Sequence, residues 1–200
     1  AHQRRLLLVT GLMLSLFMAS MESTVIATAM PTIVSDLGGL DRYSWVFSIY
    51  LLASTTTVPI FGKLSDVYGR LPIYLSAMLL FLVGSLLCGM AQSMNQLIAF
   101  RAVQGIGAGG LLPLTFIIIG DTFTVEQRAR VQGLFSSVWG VSSIVGPLLG
   151  GFLVDAVTWS WVFFINVIPG ILAALLVWRV LRQQRRTGTR PVVEYLGAVV

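Results

Sequence analysis

Six long apolar stretches, separated by short polar connectors, constrain this chain more than any other feature of its sequence. They cover residues 6–30, 44–62, 72–91, 96–119, 131–153 and 160–180. A transmembrane α-helix needs about 20 mainly apolar residues to cross the hydrocarbon core of a bilayer. Only 10% of the residues are charged, against about 25% in ordinary soluble domains. The sequence therefore predicts an all-α membrane protein with six transmembrane helices.

The basic residues indicate how these helices are oriented. If the N-terminus is cytoplasmic, all lysines and arginines fall in inner segments except Arg42, in an outer loop, and Arg101, within the fourth stretch. Short cytoplasmic loops are enriched in lysine and arginine. We therefore expect a multi-pass protein of the cell membrane with a cytoplasmic N-terminus. Because the positive charges are not gathered in one patch, nucleic acid is not expected as a partner.

Histidine and cysteine are too scarce for several kinds of chemistry. The chain has one histidine, His2, and one cysteine, Cys88. A metal site built on these residues, or a serine nucleophile activated by histidine inside the membrane, is therefore not expected. We expect neither a metal nor an enzyme activity, and an intramembrane enzyme is the weakest alternative.

Two charged residues, Glu22 and Arg101, lie well inside the apolar stretches, away from their ends. Glu22 shares a helix face with Gly11 and Ser15, and Arg101 precedes Gln104 on a small, polar face of the fourth stretch. Charged side chains at membrane depth are costly and usually functional. We therefore expect a water-filled crevice in which Glu22 takes up and releases protons. The alternatives are an acid satisfied by a neighbouring helix and an arginine that reaches outward along its aliphatic stem.

Glycine and proline mark the fifth stretch as a helix crossing. Gly146 and Gly150 have the spacing that lets another helix approach closely, and Pro147 cannot donate to the carbonyl of Ser143. A related segment, PIFG at residues 59–62, lies in the second stretch and echoes PLLG at 147–150. Such an echo would suit an inverted repeat of three plus three helices.

Three segments resemble motifs of the major facilitator superfamily. GKLSDVYGR, residues 62–70, is similar to the loop between the second and third helices of that family. RAVQGIGAG at 101–109 resembles its fourth-helix signature, and GPLLGG at 146–151 resembles the fifth-helix motif of its antiporters. The resemblance implies that the first of these segments acts as a cytoplasmic latch between two helical bundles.

Two further segments narrow the resemblance to one branch of the family. MESTVIATAMP at 21–31 is similar to the first-helix motif of the drug/proton antiporters, with Glu22 where aspartate is usual. WSWVFFINVIPG at 159–170 resembles the start of the sixth helix in exporters with fourteen spans. The five motifs run in family order through all six stretches.

The resemblance implies a domain plan and a function. Residues 1–181 would form an N-terminal six-helix bundle, 182–194 a basic cytoplasmic linker, and 195–200 the start of a seventh helix in a longer polypeptide with a second, C-terminal bundle. The implied function is proton-driven efflux of lipophilic or cationic small molecules, with the proton gradient as energy source and no cofactor. Export of a lipid or an endogenous metabolite, and a membrane scaffold without transport, stay open as alternatives.

Roles are implied for three sets of residues. The proton and substrate site would contain Glu22, Arg101 and Gln104; the latch Gly62, Asp66, Gly69 and Arg70; and the rocking contact Gly146, Pro147, Gly150 and Gly151.

Overall fold

The structure is a computed structural model that describes the backbone of residues 2–186 and the side chains of residues 3–182. This part of the chain is helical, and a short 3-10 helix, Leu40–Arg42, precedes the second long helix. The α-helices are α1 (His2–Leu37), α2 (Tyr43–Tyr68), α3 (Arg70–Gly89), α4 (Met94–Thr122), α5 (Val125–Ala156), α6 (Trp161–Phe164) and α7 (Val167–Arg186).

Six helical segments of the described chain are long and apolar enough to cross a membrane, with α6 and α7 together forming the sixth. This confirms the prediction of an all-α protein with six spans. The structure differs at Pro31, which we expected in a connector but which lies inside α1. The ring of Pro31 removes one backbone donor, and long membrane helices tolerate that loss. The helix therefore continues to Leu37.

The predicted linker begins inside a helix. Residues 182–186 belong to the last turns of α7. The rest of the linker, 187–194, and the expected start of a seventh helix at 195–200 lie outside the described residues.

The helices pack around two central members, α1 and α4. Helix α1 packs along α5 and α7, and α4 packs along α2 and α3. Exchanging α1 with α4, α2 with α5 and α3 with α7 converts the first set of contacts into the second. The packing therefore has the symmetry that a repeat of three plus three helices requires.

Glycines allow α4 to approach both of its neighbours. A Cβ atom on Gly105 would lie 2.6 Å from the carbonyl oxygen of Tyr50 in α2, and one on Gly107 would lie 2.7 Å from that of Ala77 in α3. Small residues let backbones come this close in membrane helices. The glycine-rich half of α4 is thus held between α2 and α3, which fixes the position of Arg101 one turn earlier.

Buried apolar side chains form two clusters in the bundle. One contains Leu12 and Met18 of α1, and the other contains Met21 and Ile26 of the same helix. The change from one cluster to the other along α1 falls next to Glu22. The predicted proton-binding acid therefore lies at the junction of the two apolar clusters.

Candidate functional site

The carboxylate of Glu22 lies inside the bundle and is bonded to three donors from other segments. Its Oε1 accepts hydrogen bonds from Arg101 Nη1 at 2.8 Å and from Gln104 Nε2 at 2.7 Å. Its Oε2 accepts one from Asn166 Nδ2 at 2.5 Å. The three residues predicted for the proton and substrate site, Glu22, Arg101 and Gln104, are thus in direct contact.

Arg101 is satisfied within the protein. Its Nη1 also donates to Gln104 Oε1 at 2.8 Å, and its Nε donates to the carbonyl oxygen of Val46 at 3.3 Å. The guanidinium carbon lies 4.0 Å from the centre of the Tyr50 ring, a distance at which the ring face attracts a cation. The alternative in which Arg101 reaches outward to water is wrong, because the side chain points into the bundle.

The expected water-filled crevice is not open at Glu22 in this structure. The side chains of Glu22 and Arg101 are each only 1% exposed. Donors of the protein replace water around the carboxylate, which is how a buried ion pair is made tolerable. Ser15, expected on the same face as Glu22, is buried as well and shares a hydrogen bond with Tyr74. Proton exchange with water at this site therefore requires a change of conformation.

Asn166, the third donor, was not predicted from the sequence. It lies between α6 and α7, where Pro169 cannot donate to the carbonyl of Ile165. The next amide, that of Gly170, bonds to the carbonyl of Asn166 at 3.0 Å. The signal that could have revealed Asn166 was a lone amide side chain in an apolar stretch, three residues before a proline.

The predicted latch contains an ion pair between its two charged members, Asp66 and Arg70, and one further acid. Arg70 contacts Asp66, which is four residues earlier, and its Nε donates to Asp121 Oδ2 at 2.9 Å. Its Nη1 also donates to Ser65 Oγ at 2.8 Å. Asp121 lies at the end of α4, so Arg70 joins the α2–α3 turn to α4. In the sequence, Asp121 falls in the connector between the fourth and fifth stretches and is not part of the predicted latch.

The two glycines of the latch differ in their surroundings. Gly69 connects α2 and α3 with φ 94° and ψ 156°, a conformation that is nearly restricted to glycine. Gly62 is helical, and a Cβ atom added to it would meet nothing within 4 Å in the described part of the chain. Only Gly69 is therefore required by the turn itself.

The predicted rocking contact lies between α5 and α1. A Cβ atom on Gly146 would collide with the hydroxyl of Thr24, and one on Gly150 would lie 2.9 Å from the carbonyl oxygen of Val25. Both contacts on α1 come within three residues of Glu22. Pro147 lies inside α5, whereas Gly151 faces open space among the described residues. The crossing therefore involves Gly146 and Gly150 but not Gly151.

Hydroxyl groups reinforce this crossing. Ser20 Oγ donates to Ser142 Oγ at 2.6 Å, and Thr24 Oγ1 lies 3.4 Å from the carbonyl oxygen of Ser142. The Glu22 carboxylate and its three hydrogen-bond partners thus lie on one side of α1. The crossing with α5, formed at Ser20 and Thr24, lies on the opposite side of the same turns. No group of three His, Cys, Asp or Glu side chains that could hold a metal ion was found between residues 3 and 182.

Two solved structures share this fold. The D-xylose–proton symporter matches 91% of this chain with a TM-score of 0.73 and 13% identity, over 52% of its own length. The human organic anion transporter MFSD10 (TETRAN) matches 87% with a TM-score of 0.69 and 18% identity, over 47% of its length. At these identities the likeness shows the fold alone.

Bacterial relatives are much closer in sequence. The multidrug transporter protein MdtP of Bacillus subtilis is 48% identical over 187 residues, which are 94% of this chain and 35% of that protein. Multidrug resistance protein 3 of the same organism is 49% identical over 175 residues, 88% of this chain and 34% of that protein. The chain thus spans about a third of the length of these relatives.

The family match covers nearly the whole chain and includes every residue of the candidate site, the latch and the α1–α5 crossing. It extends over residues 12–197 and carries the description Major Facilitator Superfamily. Its extent agrees with the six membrane-capable helices and with the likeness to two transporters of known structure. The chain therefore belongs to the Major Facilitator Superfamily, a family of multi-pass membrane transporters.

Proposed function

We propose that this chain is the N-terminal bundle of a proton-coupled exporter of lipophilic or cationic small molecules. Membership of a transporter family leaves the intramembrane enzyme without support. The names of the two bacterial relatives support drugs as the substrate class. The observation that carries the proposal is the buried Glu22 carboxylate, paired with Arg101 at membrane depth, because intramembrane acids of this kind commonly relay protons.

A change in the charge of Glu22 would alter how α1 is held. The ionised carboxylate attracts Arg101 strongly, because a charge pair interacts more strongly in a medium of low dielectric constant than in water. A protonated Glu22 loses most of that attraction. Since Thr24 and Val25 of the same helix contact α5 at Gly146 and Gly150, a shift of α1 would reach the crossing directly. Protonation and rocking would thus be coupled through about one turn of α1.

The contacts of the latch would form and break at the cytoplasmic surface during the same conformational change. Asp66, Arg70 and Asp121 hold the ends of α2, α3 and α4 together. In alternating access, such contacts are made in one state and broken in the other. The substrate cavity would lie between this bundle and a C-terminal bundle of the same longer polypeptide. The distribution of lysine and arginine supports a cytoplasmic N-terminus in the cell membrane.

Transport in vesicles under an imposed pH gradient tests the proposal. The full-length polypeptide that contains this chain is reconstituted, and gradient-driven movement of a cationic dye is followed in the wild type and in Glu22→Gln. We expect Glu22→Gln to lose gradient-driven transport, because an amide cannot carry the proton. The matched control is Asp36→Asn, the same kind of change at an exposed acid of the same helix.

The outcomes separate the alternatives. Normal gradient-driven transport by Glu22→Gln would end the proton-binding assignment. A wild-type protein that moves labelled lipids but no dye under the gradient would replace drugs by lipids as the substrate class. A folded wild-type protein that moves neither substrate would favour the scaffold.

A further inference from the structure

The side-chain amide of Asn166 is bonded at one end and unpaired at the other. Its Nδ2 donates to Glu22 Oε2 at 2.5 Å and to Ser85 Oγ at 3.1 Å. Its Oδ1 is buried and has no hydrogen-bond partner in the part of the chain that the structure describes. An unpaired polar atom in the interior is energetically unfavourable. Asn166 therefore has an unused hydrogen-bond acceptor close to the Glu22 carboxylate.

The hydrogen bonds of Glu22 indicate where a proton would bind. A carboxylate has about four acceptor sites on its two oxygens. Oε1 already accepts from Arg101 and Gln104, whereas Oε2 accepts only from Asn166. The remaining lone pair that is free of donors is therefore on Oε2, the oxygen that faces Asn166.

Protonation of Oε2 reverses what Glu22 needs from its neighbour. The ionised oxygen accepts a hydrogen bond, whereas a protonated oxygen has an O–H group that must find an acceptor. The other titratable groups around Glu22 are Arg101, Tyr50 and Cys88. Arg101 only donates, and the Cys88 thiol lies toward Gln104 Oε1 at 3.7 Å. Tyr50 faces Arg101 with its ring. In the part of the chain that the structure describes, the buried side-chain acceptor without a partner is Asn166 Oδ1, on the amide that already contacts Oε2.

We propose that Asn166 is a positioning residue that presents its amide nitrogen to ionised Glu22 and, after rotation of the amide, its amide oxygen to protonated Glu22. This inference rests on the proposed proton-binding role of Glu22. The terminal torsion of asparagine is soft and nearly two-fold, so the rotation needs no movement of the backbone. The proton comes from water and returns to water, while the amide only exchanges hydrogen bonds.

The surroundings of Asn166 suit such an exchange. Each orientation leaves one end of the amide unpaired, but Ser85 favours the orientation seen here, in which Nδ2 donates to Ser85 Oγ at 3.1 Å. Ser85, the second partner of the amide, is itself fixed because its hydroxyl donates to the carbonyl oxygen of Phe163 at 2.7 Å. Rotation therefore exchanges the bond to Ser85 for a bond from protonated Glu22, and the amide oxygen turns toward the carboxyl group only when Glu22 holds the proton.

Infrared difference spectroscopy tests the exchange without any change to Asn166. Spectra of the full-length protein at acid and alkaline pH are subtracted, and the carboxyl band of Glu22 is identified by its loss in Glu22→Gln. Asparagine labelled with ¹³C at the side-chain carbonyl then identifies amide bands. This chain contains two asparagines, Asn95 and Asn166. We expect a label-sensitive amide band in the difference spectrum that disappears in Glu22→Gln.

A substitution provides the second measurement. Asn166→Leu keeps much of the volume but has neither donor nor acceptor. We expect the Glu22 carboxyl band to shift to the higher wavenumber of a group without an acceptor. We also expect the maximal transport rate to fall several-fold while the apparent substrate affinity is retained. The matched control is Asn95→Leu, at an exposed position next to Arg42, which should leave the band and both transport parameters unchanged.

The possible failures are distinguishable. If Glu22 gives no carboxyl band at any pH, the proposed function fails and this inference fails with it. If the Glu22 band appears without a label-sensitive amide band, the proton site stands and the amide exchange is wrong. A Glu22 band that keeps its position in folded Asn166→Leu would contradict the inference in the same way.

Discussion

Arg101 and Glu22 form an ion pair, Nη1 to Oε1 at 2.8 Å, that is almost entirely removed from solvent. The pair joins α4 to α1, the two helices around which the others pack. Because both charges are also hydrogen-bonded to neutral groups, neither depends on the other alone. The ion pair is therefore held by neutral hydrogen-bond partners as well as by the attraction between its two charges.

Removing the cation from this pair is expected to destabilise the bundle strongly. Arg101→Met leaves a buried carboxylate without a counter-charge, which costs about 3–5 kcal/mol in buried pairs. The combined variant Arg101→Met with Glu22→Gln removes both charges and should lose less than Arg101→Met alone. The free energy of unfolding is measured in detergent for Arg101→Met, for Glu22→Gln and for the combined variant. Simple additivity of the two single changes would show that the charges do not interact.

The membrane fold could be predicted from the sequence because the length and the polarity of each apolar stretch are local properties. Residues 72–91 and 96–119, for example, are each long and apolar enough to cross a membrane, and the structure has a helix at each place. Functional roles for Glu22 and Arg101 were also predicted, because a charged residue inside an apolar stretch can be recognised without knowledge of the fold. Their direct contact spans 79 positions of the chain, and no local pattern encodes that distance.

Asn166 and Asp121 show what local patterns leave out. Asn166 is separated from Glu22 by 144 positions, and its inward direction depends on the break between α6 and α7. In the sequence, Asp121 looks like an ordinary polar residue at the end of a helix. Its contact with Arg70 depends on the packing of α4 against the α2–α3 turn. The sequence left open whether Glu22 lies in a water-filled crevice or is satisfied by neighbouring helices, because the depth of burial follows from how four segments meet rather than from any one of them.

The α1–α5 crossing is expected to be sensitive at one glycine and insensitive at another. Gly146→Ala forces the new methyl group against Thr24, and overpacking of this kind costs about 1–3 kcal/mol. Gly151→Ala, five residues later in the same motif, meets no atom of the described chain within 4 Å. Because alanine is favoured over glycine at such a helical position by about 0.8–1.0 kcal/mol, Gly151→Ala should not be destabilised and should gain about this amount. Thermal unfolding of the two variants side by side makes the comparison, and equal losses would contradict the crossing.

The latch is expected to affect transport more than stability. The side chains of Arg70, Asp66 and Asp121 are 29%, 68% and 52% exposed, and exposed ion pairs contribute only about 0–1 kcal/mol. Arg70→Gln should therefore unfold almost like the wild type but transport several-fold more slowly. The same measurements on Lys63→Gln, which removes a positive charge from an exposed position in the same segment, provide the control. A large loss of stability with normal transport would make Arg70 a structural residue instead.

The two glycines that bracket the latch should respond to alanine with opposite signs. Gly69→Ala places a side chain at φ 94° and ψ 156°, a region almost exclusive to glycine, at a cost of about 1–3 kcal/mol. Gly62→Ala adds a methyl group to a helical position with nothing within 4 Å, where alanine is favoured over glycine by about 0.8–1.0 kcal/mol. Unfolding in detergent should show a loss for the first variant and a gain for the second. If Gly62→Ala is stabilised but transports slowly, its open face is needed in another conformation; a destabilised Gly62→Ala would contradict the helical environment described for α2.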